Sequence, residues 1–216
     1  MDCRNHIPFP VISKQHPLIL ASASPRRKTL LMQMGLPFRV APSDFDEKEM
    51  GGEPLRISRV LAEKKALRVY PMADSSWILG ADTIVVINKK MLGKPRDNAE
   101  AREMLRLLSG VEHTVVTGFC ILSPLGKIAH SEAVSTAVCF KGLEKEEIES
   151  YISTGEPFGK AGGYAIQGIG SFMVESISGS YTNVVGLPLC AVIKALIRVG
   201  ALKTFPLPSA LQSLRG

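Results

Sequence analysis

The sequence predicts an α/β protein, because short apolar and β-branched runs are interspersed along the chain with segments that carry helix-start and helix-stop signals. The chain has 216 residues, of which 45% are hydrophobic and 21% are charged. This length and composition fit one globular domain with a sizeable core. No internal repeat or linker interrupts the middle of the chain, so we predict one domain over residues 18–202. The flanking residues 1–17 and 203–216 are predicted to be loose.

The first elements follow from a short apolar run and a strong helix-start signal. Residues 18–21, LILA, are consistent with a buried strand. Ser24 is a suitable N-cap residue, and Pro25 suits the first helical position, so a helix is predicted from there to Gly35. Residues 36–42 are predicted to form a second strand.

The middle of the chain continues with a helix from Pro54 to about Tyr70. Residues 77–88 are rich in β-branched side chains and are predicted to form a central strand, which a turn at 88–90 ends. One helical face then carries four apolar residues before the stop signal Ser109-Gly110: Ala101, Met104, Leu105 and Leu108.

The last third of the chain predicts a hairpin, a surface helix and an apolar helix. The strands at 114–122 and 128–141 flank the turn signal SPLG. A charged helix is predicted over Leu143–Ser153, and a glycine-rich span at 155–186 contains short strand-like pieces. The apolar stretch after Pro188 contains Lys194 and Arg198, which favour a buried helix over a membrane span.

Composition and charge narrow the class of protein. The four cysteines are far apart and form no CxxC pair, and the N-terminus lacks the apolar run of a secretory signal, so a reducing, cytoplasmic location is predicted. The net charge of +6 indicates an affinity for polyanions. Nucleic acid is one candidate, but the basic residues form no tract. A small phosphorylated ligand fits at least as well.

Residues 22–27, SASPRR, predict an anion site. A helix N-terminus presents free backbone N–H groups and the positive end of its dipole, and the hydroxyls of Ser22 and Ser24 add donors. Arg26 and Arg27 add guanidinium groups that suit phosphate but oppose the dipole. A capped helix with two solvated arginines explains this segment alone equally well.

Two acidic segments are candidates for a metal site. Asp44, Asp46 and Glu47 form an acidic cluster in a basic protein, although a solvated loop is the simpler explanation of that cluster by itself. Asp82 lies inside the apolar strand at 77–88, where an unpaired carboxylate is unfavourable unless it has a partner or a function. A functional role is favoured for Asp82.

Further candidates are basic or amide side chains beside glycines. Lys94 follows Gly93, and Gln167, in the segment KAGGYAIQG, could bind the edge of a base through its amide. Lys64 and Lys65 lie on a helix with apolar residues on more than one side, so periodicity does not decide which lysine points inward. A solvated surface lysine is the simplest interpretation for each.

Taken together and in order, eight blocks resemble the Maf family over about residues 18–200: LASASPRR (20–27), DE (46–47), LAEKKA (61–66), LGADTIV (79–85), GKPRD (93–97), LSG (108–110), KAGGYAIQG (160–168) and VVGLPL (184–189). The resemblance implies an α/β fold related to the inosine-triphosphatase-like group, with a mixed central sheet and two lobes around a cleft. It also implies a nucleotide pyrophosphatase that needs a divalent cation, Mg²⁺ or Mn²⁺.

The resemblance also implies roles for individual residues. Asp82 would be the general base and a metal ligand, and Glu47 a second metal ligand. Lys65, selected over Lys64 by the LAxxKA pattern, and Lys94 would complete the catalytic set. The remaining implied residues bind substrate, through phosphate contacts or specificity: Ser22, Arg26, Arg27, Thr83 and Gln167.

Within the family, Gln167 and the following Ser180-Tyr181 resemble the branch that prefers dTTP and UTP. The resemblance further implies a homodimer, with nucleotide as the partner and neither nucleic acid nor membrane. Two alternatives remain at this stage. One is a nucleotide-binding regulator of septum formation without significant catalysis, and the other is a nucleic-acid-binding module suggested by the pI of about 9.2.

Overall fold

The computed structural model describes residues 9–43 and 52–207. Within them the helices are α1 (Pro25–Gln33), α2 (Pro54–Val69), α3 (Asn98–Leu108), α4 (Lys145–Ser153), α5 (Tyr181–Val185) and α6 (Leu189–Arg198). The strands are β1 (Leu18–Ala21), β2 (Phe38–Val40), β3 (Ile78–Ile87), β4 (Lys90–Leu92), β5 (Glu112–Leu122), β6 (Ile128–Phe140) and β7 (Val174–Ser178). The predicted α/β class is confirmed.

The strands form one mixed sheet in the order β2-β1-β3-β5-β6-β7, with β4 paired to β3. β1 is parallel to both β2 and β3, whereas the other pairs are antiparallel. Because Ala21 is in register with Gly80, the chain leaves the end of β1 two residues before Asp82 of β3. This register brings the 22–27 segment next to Asp82.

Helix α2 packs against β3 and β5 at two strand glycines. A Cβ atom at Gly80 would lie 2.9 Å from the Ala66 Cβ atom, and one at Gly118 would collide with the backbone of Ser58. Glycine is therefore required at both positions for α2 to approach the sheet this closely. This close approach is what allows a side chain of α2 to reach a strand residue.

β3 contributes to the two largest hydrophobic clusters of the described residues. Leu79 and Ala81 belong to a cluster formed with β1, α1 and α6, and Val85 and Ile87 belong to another formed with α3, α4, β5 and β6. The polar residues Asp82 and Thr83 lie between the two clusters. The chain thus has two packed lobes, and its central strand carries polar side chains at their junction.

Several boundaries differ from the sequence prediction. β2 covers only three residues of the predicted 36–42 strand. The turn at 88–90 leads into β4, with Asn88 and Lys89 in the left-handed region that suits a two-residue hairpin. The glycine-rich span contains 3₁₀ turns, β7 and α5 rather than several strands.

Part of each predicted loose flank packs on the first cluster. Ile12 is 4% exposed, and its backbone N–H donates to the Ala201 carbonyl oxygen over 2.8 Å. Phe9 meets the Trp77 ring edge-on, and Phe205 packs against the same cluster. These contacts place Phe9, Ile12 and Phe205 against the core. Among the described helices, none is both long and apolar enough to span a bilayer.

Candidate active site

A cleft of about 440 Å³ lies between the two lobes. Its lining includes every predicted site residue that the structure describes: Ser22, Arg26, Arg27, Lys65, Asp82, Thr83, Lys94 and Gln167. The predicted metal ligand Glu47, with Asp44 and Asp46, lies outside the described residues. The tertiary structure therefore brings together side chains from α1, α2, β3 and three loops.

A buried ion pair lies in the wall of the cleft. The Lys65 Nζ atom is 2.5 Å from the Asp82 Oδ1 atom, and the two side chains are 9% and 7% exposed. Lys65 comes from α2, which the glycine contacts hold against β3. Lys64 is exposed instead, so the structure settles the choice that periodicity left open. The contact with Lys65 fixes the orientation of the Asp82 carboxylate in the cleft wall.

The N-terminus of α1 forms a second part of the cleft wall. Ser24, predicted as the N-cap, makes no capping hydrogen bond with its side chain. The Ser22 Oγ atom accepts from the Ser24 backbone N–H over 3.2 Å and from Arg27 over 3.0 Å. Because both contacts use Ser22 as an acceptor, its hydroxyl proton remains to be donated to an oxygen in the cleft.

Arg27 is not the solvated arginine that a simple capped helix would have, since it is only 8% exposed. Its guanidinium donates to the Gly186 carbonyl oxygen over 2.7 Å, to Ser22, and to the Thr83 Oγ1 atom over 3.0 Å. At least three of its five N–H groups therefore bind protein oxygen atoms. The main effect of Arg27 in this geometry is to hold β1, β3 and α5 together at the cleft.

A polar network that was not predicted from the sequence lies behind Thr83. The Thr83 and Thr117 hydroxyls are 3.0 Å apart, and Thr117 donates to the Asn183 carbonyl oxygen over 3.0 Å. The fully buried Asn183 side chain donates to the Val115 carbonyl oxygen and to Thr136. A buried amide inside an apolar segment was the available signal, because such a group needs partners.

The loops supply the remaining cleft residues. Lys94 is exposed, and its loop is fixed by a 2.9 Å hydrogen bond from the Gly162 backbone N–H to the Gly93 carbonyl oxygen. This bond joins the Lys94 loop to the KAGGYAIQG segment. Gln167 is exposed at the cleft, where its amide is accessible to a ligand. Lys160, which the sequence analysis did not single out, also lines the cleft.

The charge of the cleft is strongly asymmetric. Of its described lining residues five are basic and only Asp82 is acidic; the basic residues are Arg26, Arg27, Lys65, Lys94 and Lys160. Such a concave basic surface attracts a compact polyanion and strengthens its interactions by excluding water. A single oriented carboxylate among cations can accept a proton from a water molecule beside a bound phosphate.

Comparison with known families agrees with this geometry. Residues 17–199 match the model of the family described as Maf-like protein. The chain belongs to the Maf family. The match includes every described cleft residue, so the site lies wholly within the family domain.

Individual Maf relatives are similar over most of their length. The chain is 53% identical over 190 residues to the dTTP/UTP pyrophosphatase of Citrifermentans bemidjiense, covering 88% of this chain and 98% of the relative. It is 52% identical to the protein of that name in Geobacter sp. strain M21, with the same coverage. A solved nucleoside-triphosphatase, the dITP/XTP pyrophosphatase of Mycobacterium abscessus, is 13% identical and covers 57% of this chain and 74% of its own, with a TM-score of 0.38.

Proposed function

We propose that this Maf protein is a nucleoside triphosphate pyrophosphatase that hydrolyses dTTP and UTP to the monophosphate and pyrophosphate. The observation that carries the proposal is the buried Lys65–Asp82 pair in the wall of a cleft that is otherwise basic. The names of the relatives, which match over nearly their whole length, support the choice of substrates.

The reaction needs a water molecule directed at the α-phosphorus. In our proposal the Asp82 carboxylate accepts a proton from this water, a bond forms between the water oxygen and the α-phosphorus, and the bond from that phosphorus to the oxygen bridging to the β-phosphorus breaks. The electron pair leaves with the pyrophosphate. Arg26, Lys94 and Lys65 stabilise the charge on the phosphate oxygens, and Ser22 donates its hydroxyl proton to one of them.

The residues present fit a divalent cation as part of this site. Oδ1 of Asp82 contacts Lys65, and within the described residues its carboxylate has no other hydrogen bond or ion pair. Those same residues contain no group of three His, Cys, Asp or Glu side chains that could hold a metal. Magnesium is bound in many phosphate sites by one or two carboxylates together with water and substrate oxygens. We therefore propose Asp82 and Glu47 as its protein ligands; when bound, the cation would neutralise phosphate charge.

The remaining predicted residues select the base in this proposal. Gln167 can donate to and accept from the edge of a pyrimidine through its amide. Thr83 and Arg27 act indirectly in this proposal: the hydrogen bond from Arg27 to Thr83 fixes β3 relative to α1. Modified pyrimidine triphosphates would satisfy the same contacts, which fits a role in removing unwanted nucleotides.

The test replaces Asp82 with Asn and measures pyrophosphate release from a panel of nucleoside triphosphates with and without Mg²⁺. Asn retains an acceptor for Lys65 but is a much weaker base, so we expect at least a 100-fold lower kcat with a folded protein. Asp74→Asn, a change at an exposed carboxylate 3.8 Å from Arg39, is the matched control. Near wild-type turnover in the Asp82 variant would refute the assignment of the base.

A labelling experiment tests the bond that is cleaved. Hydrolysis of dTTP in ¹⁸O-water, followed by mass spectrometry, should place the label in the monophosphate and none in pyrophosphate. Label in pyrophosphate would indicate attack on the β-phosphorus and contradict the proposed mechanism. Nucleotide binding without release of pyrophosphate would instead support the regulatory alternative.

A further inference from the structure

Arg26 is a half-buried cation in the cleft whose guanidinium donors are not used by the part of the chain that the structure describes. Burial lowers the pKa of its guanidinium, and Glu156 partly opposes this shift. Within residues 9–43 and 52–207, the Arg26 side chain makes neither a hydrogen bond nor an ion pair within 4 Å. A partly desolvated guanidinium with open donors favours an anionic ligand.

Lys160 approaches Arg26 from the segment that follows α4. Its Nζ atom donates to the carbonyl oxygens of Glu156 over 2.5 Å and Phe158 over 3.4 Å. Burial lowers the pKa of the Lys160 ammonium group, and the positive charge of Arg26 lowers it further. Since an ammonium group has three donors, one N–H remains for a ligand in the cleft.

The carboxylate of Glu156 is fixed where it does not neutralise this pair of cations by direct contact. It accepts hydrogen bonds from the backbone N–H groups of Ile169, over 3.1 Å, and Gly170, over 2.8 Å, and from the Tyr151 hydroxyl over 2.8 Å. Burial raises the pKa of the Glu156 carboxyl, but these hydrogen bonds outweigh burial and lower it overall. Glu156 is therefore an ionised anchor for this loop.

The backbone around Lys160 is shaped for this position. Gly159 and Gly162 adopt φ angles of +74° and +69°, which side chains disfavour. A Cβ atom at Gly170 would lie 2.8 Å from the Tyr151 hydroxyl oxygen. Together with the Gly162–Gly93 hydrogen bond, these features hold Lys160 on the wall of the cleft that also carries Lys94.

We propose that Lys160 is a further substrate-binding residue, which binds the pyrophosphate portion of the nucleotide together with Arg26. The inference rests on the proposed function for the identity of the nucleotide. The binding chemistry itself is independent of turnover, because two cations that line one cleft, without a carboxylate of residues 9–43 or 52–207 in contact with them, attract pyrophosphate whether or not the protein hydrolyses a triphosphate.

The experiment compares wild type with Lys160→Gln, which removes the charge but retains an N–H donor for the loop carbonyl groups. Calorimetric titration with inorganic pyrophosphate should show about tenfold weaker binding, the size expected from the loss of one charged hydrogen bond at a partly exposed site. For dTTP hydrolysis, KM should rise by a similar factor while kcat changes less. Lys160→Arg should recover part of the affinity, since it restores the charge.

Matched controls separate the possible outcomes. Lys127→Gln removes an exposed lysine of the β5–β6 hairpin and should bind pyrophosphate as wild type does. Unchanged pyrophosphate affinity in Lys160→Gln would overturn the proposal. A variant that loses affinity for the nucleoside monophosphate but not for pyrophosphate would also overturn it, because Lys160 would then lie at the base. If the wild type binds pyrophosphate through Lys160 but hydrolyses no triphosphate, the proposed function fails and this inference stands.

Discussion

The Lys65–Asp82 ion pair is a single contact in which our proposal couples stability to function. Removing two charges from water is unfavourable, so a buried pair contributes less net stability than its short distance suggests. Removing one partner is much more harmful, because the other charge is left without compensation. Both side chains line the cleft, so the proposed function gives a reason for this costly pair.

We predict that Lys65→Met lowers the free energy of unfolding by about 3 kcal/mol at pH 7, since Asp82 is left buried and unpaired. The double variant Lys65→Met/Asp82→Asn should recover most of that loss, because no uncompensated charge remains. Urea denaturation of the two single variants and the double variant measures the coupling. Turnover should be lost in all three. A double variant as unstable as Lys65→Met would contradict the assignment of Lys65 and Asp82 as a buried ion pair.

The burial of His113 leads us to predict that the stability of the protein depends on pH. It is 2% exposed, its Nε2 atom lies 2.9 Å from the Tyr164 hydroxyl, and Phe140 meets its ring edge-on. Burial lowers the pKa of His113 to about 4, and the backbone of Val111 only partly opposes this. The unfolded chain therefore takes up a proton near pH 6.5 while the folded protein does not.

Stability should fall as the pH is lowered from about 6.5 to about 4, by at most about 3 kcal/mol from this residue. Urea denaturation at several pH values measures the slope. His113→Gln should flatten this slope, whereas His16→Gln, at an exposed position, should leave it unchanged. Equal slopes in wild type and His113→Gln would show that another group is responsible.

Individual residues also show how far the sequence could be interpreted. Asp82 could be recognised as a candidate from the sequence, because an unpaired carboxylate within an apolar strand is unfavourable. This signal is local and does not depend on the tertiary structure. The choice of Lys65 over Lys64 did not follow from helical periodicity, because α2 has apolar residues on several sides. Only the packing of α2 on β3 decides it physically, although family resemblance also selected Lys65.

At the scale of elements, the contact between α2 and the sheet controls the site. Gly80 and Gly118 allow the helix backbone to approach β3 and β5, and this approach brings Lys65 to Asp82. The space at Gly80 is filled by Ala62 and Ala66 of α2.

We predict that Gly118→Ala destabilises the fold by about 3 kcal/mol or more, because the added methyl group collides with the helix backbone rather than with a movable side chain. Gly142→Ala is the matched control, since a Cβ atom there meets nothing within 4 Å. Thermal unfolding of both variants measures the difference. If Gly118→Ala unfolds at the same temperature as Gly142→Ala, α2 does not depend on this close approach.

At the scale of the whole molecule, the two hydrophobic clusters place the cleft. Each cluster takes residues from β3, so the polar positions 82 and 83 lie where neither cluster covers the strand fully. Arg27 then joins α1 to the end of α5, which is distant in sequence. The cleft is therefore a consequence of how the two lobes share one strand.

By itself, the sequence determined the α/β class, the order of the main elements and most of the charged residues of the cleft, because hydrophobic periodicity, caps and ordered family motifs are local properties. Only the tertiary structure decided which polar and charged groups interact. It brings the charge of Lys160 near that of Arg26, surrounds Arg27 with Ser22, Thr83 and Gly186, and forms the Asn183 network. These contacts join residues far apart in the chain. Their energies depend on burial and distance, which no local sequence pattern encodes.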